Sequence, residues 1–144
     1  MLTKKLGIWL VVAAIIIFGI LFIASHRNIA VIKIGTGIVE AEIAQTDEAR
    51  KLGLGIYKKL EANQGMLFVF EQSDTHSIWM KDVEFPIDVI WLDKNKKVVY
   101  VEPDMQPNSY PSLFRPDEPA LYVIEVPAGF AGRYNISDGT QANW

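Results

Sequence analysis

Residues Ile87–Glu102 read IDVIWLDKNKKVVYVE, and this stretch decides the fold class. Ile87–Asp93 is a short run rich in β-branched and aromatic residues, the types that fit a pleated sheet. Asp93-Lys94-Asn95-Lys96 is a polar connection of hairpin length. Lys97–Glu102 follows, with Val99 and Val101 on one face and Val98 and Tyr100 on the other. Strand, turn and strand are thus written into one continuous segment.

The same signature recurs outward. Leu121–Val126 is a strong strand stopped by Pro127 and Gly129, and Arg133–Ile136 reads as a last short one. Upstream, Ser77–Lys81 reads as a strand separated from Ile87 by a bend at Phe85-Pro86. Met66–Phe70 (MLFVF) is continuously apolar and reads as buried on both faces. In Ile38–Ala44, Val39, Ala41 and Ile43 alternate with Glu40 and Glu42; Ala30–Ile34 precedes it as a shorter run. Thr46 reads as the N-cap of a short helix, with Asp47 and Glu48 favouring its positive end and Gly53 and Gly55 stopping it. A further helical turn is expected within Ile56–Asn63. Seven or so short strands with one short helix predict a mainly β domain, either a jelly-roll-like sandwich or a partly open barrel. Between Glu102 and Ala120 lie five prolines, which exclude a central strand. Tyr110, Phe114 and Arg115 in that stretch suggest an ordered loop folded over the domain as a lid.

Leu6–Ala24 (LGIWLVVAAIIIFGILFIA) carries no charge and no polar face. As a helix it would extend about 28 Å, enough to cross a hydrocarbon core. Its length, and Phe22 near the candidate cleavage site, favour an uncleaved signal anchor over a cleaved signal peptide. Lys4 and Lys5 before it place the N-terminus in the cytoplasm and the rest outside. The expected division is residues 1–5 cytoplasmic, 6–24 transmembrane, 25–37 a linker with the first short strand, and 38–144 the β domain. The net charge of −3 leaves no basic footprint for nucleic acid, and there is no cysteine for a disulfide or a thiol nucleophile.

Two acids interrupt apolar strand faces. Asp88 shares its face with Ile90 and Leu92, and Glu125 with Leu121 and Val123. A carboxylate there is costly unless paired or hydrogen-bonded. Lys81, at the end of the strand carrying Trp79 and Met80, is the natural partner for either. Trp79, Met80, Lys81, Asp88 and Glu125 therefore form a candidate binding cluster, with an aromatic wall beside two carboxylates. The bland alternative is that each acid accepts loop amides at a strand end. His76, Met66, Met80 and Met105 offer soft-metal ligands, but His76 and Met80 stand about 13 Å apart along one strand, too far to share an ion. No metal site and no cofactor are expected.

The blocks GMLFVF at Gly65–Phe70, WMKD at Trp79–Asp82, PIDVIWLD at Pro86–Asp93 and YVIEVPAG at Tyr122–Gly129 occur in that order. AQTDEAR at Ala44–Arg50 and Gly53-Leu54 precede them. From about Val39 to the last residue, the chain resembles the uncharacterised family called domain of unknown function 192. The resemblance implies an exported or membrane-attached small β domain with a jelly-roll-like sandwich, and carries over no established activity. Its signature positions fall on Gly65, Met66, Trp79, Met80, Lys81, Pro86, Asp88, Glu125 and Gly129. The chain departs from the family pattern at Gly55 and Tyr57, where Met and Arg are frequent, and at Asp82 and Val83, where Asn-Thr is.

These features favour a membrane-anchored extracytoplasmic binding module for a small molecule, glycan or protein partner. The alternative is an envelope-directed hydrolase or transferase with Asp88 and Glu125 as acid and base, which needs the two carboxyl groups about 5–9.5 Å apart. Assembly through the membrane helix ranks third, because Gly19 has no small partner for a GxxxG contact.

Overall fold

The computed structural model describes residues 28–144; the candidate membrane segment Leu6–Ala24 lies outside them. Among the described residues no helix is long and apolar enough to cross a membrane. Seven strands run in chain order as β1 (Ile29–Ile34), β2 (Gly37–Ala44), β3 (Gln64–Asp74), β4 (Ile87–Leu92), β5 (Val98–Met105), β6 (Ala120–Pro127) and β7 (Ala142–Asn143). They form one sheet in the order β5-β4-β6-β3-β2-β1-β7. The sheet curls into a half-barrel, and its two outer strands meet at one end through a Lys97–Gln141 bridge. There Val98 N–H donates to the Thr140 carbonyl (2.9 Å) and Gly139 N–H to that of Val98 (2.8 Å). Of the two architectures expected, the curled single sheet is the one formed.

All pairings are antiparallel except β2 with β3. A parallel pair needs a crossover, because the chain must return to the end where the first strand began. Here the crossover holds α1 (Asp47–Leu52) and a 3₁₀ turn (Gly53–Ile56). Thr46 caps α1 as expected: its side-chain oxygen accepts from Ala49 N–H at 3.1 Å. Gly53 ends α1 at φ +49°, a conformation that costs glycine little.

Both faces of the sheet are covered. The inside of the curl holds Ile32, Ile34, Leu67, Ile90, Ile124 and Phe130. The outer face holds Leu54, Met66, Phe68, Met80, Val89 and Trp91 beneath the crossover and the loops. Every residue of β4 is consequently buried. Trp91 pairs its buried ring N–H with the His76 carbonyl at 2.8 Å. Met66, Met80 and Met105 are all members of this outer core. His76 stacks on Phe70 with ring centroids 3.5 Å apart.

Three expectations need correction. Ser77–Lys81 is extended, but only Ile78 pairs, bridging to Phe114 in the proline-rich segment. Arg133–Ile136 is not a strand: a one-turn helix, α2 (Phe130–Arg133), occupies this region, and the last strand is the two-residue β7. Ile56–Asn63 holds no new helical turn beyond the end of the 3₁₀ segment. Within 25–37 the first short strand is β1, which pairs with β2 along its length and carries the buried Ile32 and Ile34. Pro103 does fall within a strand, but β5 lies at the sheet edge and its register with β4 shifts around this position, and edges and bulges are where a strand tolerates proline.

Candidate functional site

The register of three strands separates the two acids. β6 lies between β3 and β4, and residues directly opposite one another share a face. Glu125 stands opposite Met66 on one side and Val89 on the other, so it belongs to the outer face. Asp88 stands opposite Val126, which packs inside the curl. The carboxyl groups project to opposite sides of the sheet. This register rules out an acid and base pair built on Asp88 and Glu125.

Asp88 is fully buried and fully engaged. One carboxylate oxygen accepts from Asp104 N–H (2.9 Å) and Gly129 N–H (3.0 Å); the other accepts from Ala131 N–H (2.8 Å). The register shift near Ile87–Val89 and the positive φ of Asp104 (+51°) belong to the same end of the β4–β5 pair. Gly129 (φ +84°) caps α2, so the acid also sits at that helix's positive end. Asp88 thus ties the end of β5 to the β6–α2 turn. Lys81 does not pair with it; its ion pair is with Asp82, at 3.8 Å.

Glu125 has the opposite surroundings. It is 4% exposed, and its Oε2 has no hydrogen-bond partner among the described residues. Burial among apolar neighbours raises its pKa to about 8. At neutral pH the protonated form therefore predominates.

Glu125 lines a cleft of about 250 Å³ between α1, the following 3₁₀ turn and the extended segment around Ile78. Phe68, Phe70, Leu54, Ile78 and Val83 supply apolar walls. Trp79, 45% exposed, and Lys81 also line it. The charged groups lining it from α1 are Asp47, Arg50 and Lys51. Arg50 is held in place: it donates to the Gln45 and Val69 carbonyls, pairs with Asp47, and lies over the Phe70 ring at 5.2 Å.

Of the five residues of the candidate cluster, Trp79, Lys81 and Glu125 line this cleft together. Asp88 does not, and Met80 is buried in the core beside them. The proposed lid is not a lid over this cleft, because Tyr110, Phe114 and Arg115 are absent from its lining. Phe114 instead exchanges backbone hydrogen bonds with Ile78 (2.8 and 2.9 Å), and Tyr110 meets the Trp79 ring edge-on at 5.9 Å. The segment braces the cleft wall from the side; Arg115 is exposed. Sequence reasoning missed the α1 residues and Phe68 and Phe70. Their signal was present in the Ala44–Arg50 block, but only the crossover brings that block over Glu125.

Fold and cleft define a small β domain with one curled sheet and an acid-floored pocket beneath its crossover. The chain belongs to the DUF192 family, described as "Uncharacterized ACR", whose family model matches residues 30–144. It is similar to UPF0127 proteins of Thermococcus kodakarensis (31% identity over 107 residues, 73% of this chain) and Thermococcus gammatolerans (32% over 105 residues, 72%). The matches span 64% and 65% of those relatives, just under two thirds of their length. Two crystal structures share the fold at a TM-score of 0.77 each. One is a candidate transcription regulator of Sinorhizobium meliloti, at 23% identity over 81% of this chain and 94% of that one. The other is a Novosphingobium aromaticivorans protein of unknown function, at 25% identity over 83% and 88%.

Proposed function

We propose that this protein is a non-enzymatic binding module whose site is the cleft over Glu125. The observation that carries this reading is a buried carboxyl oxygen left without a partner at the edge of a solvent-open, aromatic-walled pocket. Leaving such a group unsatisfied costs about 1–3 kcal/mol, a cost that a bound hydrogen-bond donor would offset. Small-molecule pockets combine apolar walls with a few placed polar groups, and this cleft has that composition. In the same reading, Leu6–Ala24 anchors the domain at the membrane, with the β domain outside.

A thermal-shift screen of the full-length chain against small organic molecules tests the site. At a hundredfold excess over Kd, a true ligand adds about 2.7 kcal/mol of stability. The stabilisation is expected to disappear in Trp79→Ala and Glu125→Gln. Hits that survive both substitutions would place binding elsewhere and overturn the reading. Protease added to intact cells tests the location: degradation of the β domain only after the membrane is opened would reverse the proposed orientation.

A further inference from the structure

We infer that the cleft takes a small zwitterion, whose ammonium group meets Glu125 and whose anionic group meets Lys81 across an apolar body. This deepens the binding-module reading and rests on it. Three observations carry it. The first is the polarity of the floor. Glu125 is 4% exposed, lines the cleft and has an unpartnered Oε2. The strands beside it offer Met66 and Val89, so neither supplies a donor. A ligand donor is the missing half of that contact, and an ammonium makes it a charge-assisted one.

The second is the distribution of cations. The charged groups facing the same cleft are Asp47, Arg50 and Lys51 from α1 and Lys81 from the segment after Trp79. Asp47 and Arg50 pair with each other. Lys81 has only a long 3.8 Å contact to an exposed Asp82. Lys81 also lines two neighbouring concavities, one bounded by Leu52 and Ile56 and one by Met80 and Tyr110. It therefore stands where three depressions meet; the two neighbours carry Glu48, Asp82 and Glu84, so the cleft over Glu125 is the one whose apolar walls leave Lys81 free for an anion. A simple cationic ligand would meet Lys81 and Lys51 as like charges, and a simple anion could engage Glu125 only in its protonated form. A zwitterion satisfies both ends.

The third is the apolar middle. Phe68, Phe70 and Trp79 line the cleft that also holds Glu125 and Lys81, so the linking body is apolar. The volume of about 250 Å³ sits at the small end for ligand pockets, which limits the body to a short chain or one ring.

The test is isothermal titration of the full-length chain near pH 7 with ε-aminocaproate and 4-(aminomethyl)benzoate, whose charged groups stand at the two ends of a short chain and of one ring. Hexylamine, caproate and hexanol are the comparison probes. At least one zwitterion is expected to bind about tenfold or more tightly than any comparison probe. An ammonium that docks on Glu125 favours the ionised carboxylate, so the carboxyl proton passes to the buffer. Repeating the titration in buffers of different ionisation enthalpy is expected to reveal release of up to about one proton per ligand. Glu125→Gln is expected to abolish proton release, and Lys81→Met to weaken the zwitterions while leaving hexylamine no weaker. Binding of hexanol or hexylamine equal to that of the zwitterions, with sensitivity to Trp79→Ala, would overturn the zwitterion and leave the cleft as the site. Zwitterion binding without proton release would overturn the ammonium–Glu125 contact. Failure of all five probes to bind would overturn the inference, while the broader screen would still decide the binding-module reading.

Discussion

Asp88 and Glu125 are two buried carboxyl groups on adjacent strands, and they have opposite fates. Asp88 faces the inside of the curl and accepts three backbone N–H bonds, one from the end of β5 and two from the β6–α2 turn. Glu125 faces outward under the crossover and has an oxygen with no partner. The difference teaches that burial alone does not assign a role to an acid. An acid whose two oxygens are both engaged by backbone amides is a fastener. An acid buried without a partner is a cost the fold carries, and its place in an open cleft is what gives that cost a use.

The largest expected effect comes from removing the fastener. Asp88→Ala strands the N–H groups of Asp104, Gly129 and Ala131, and should cost on the order of 4 kcal/mol. Urea unfolding of the variant beside the wild type measures it; a loss under about 1 kcal/mol would erase the distinction between the two acids.

Next comes the pH dependence of Glu125. Its folded pKa of about 8 lies above the ordinary value of 4.5. Between those values the folded state holds more protons than the unfolded one. Stability from this group therefore falls as pH rises from 4.5 to 8 and levels off above, by at most about 1.4 kcal/mol per pH unit. Subtracting the stability profile of Glu125→Gln from that of the wild type isolates this slope. A flat difference, or one that rises with pH, would mean that the carboxyl group is ionised in the folded protein.

Arg50→Met should cost about 2 kcal/mol, because it frees the Gln45 and Val69 carbonyls and unpins α1 from β3. It should also loosen the cleft wall, which hydrogen exchange at the α1 amides would register; unchanged protection there would show that α1 is held by packing alone. The smallest effect on stability belongs to Trp79→Ala, about 1 kcal/mol or less, since much of that ring is exposed. A larger loss by thermal melting would make Trp79 a support of the fold rather than a wall of the site.

Much of this was legible in the sequence, and the failures have physical causes. Alternation located β2 and β5, apolar and β-branched runs located β4 and β6, and the face of each acid within its own strand was correct. The relative register was not legible: nothing local sets Asp88 opposite Val126 rather than opposite Glu125. Ser77–Lys81 misled because its in-and-out pattern is real, with Ile78 and Met80 buried and Ser77, Trp79 and Lys81 exposed. A period of two reports an extended chain lying on a core; it does not report a hydrogen-bonded neighbour. The segment after Gly129 misled because its helical turn starts at a cap whose amide bonds to Asp88, forty-one residues away. β7 is two residues long, too short to show any period. The parallel pairing of β2 with β3 was equally invisible, and it is that pairing which carries α1 over the outer face.

The closure near Lys97 and Gln141 has a consequence for behaviour in crowded solution. Open sheets aggregate by adding strands to their outer edges. Here one edge strand carries Pro103 and a register shift, the other is only two residues long, and the two are joined at one end. Closure therefore protects the end near Lys97 and Gln141, while β7 leaves β1 from Ile29 to Ile32 without a neighbour on its outer side among the described residues, so a second chain is expected to add there first.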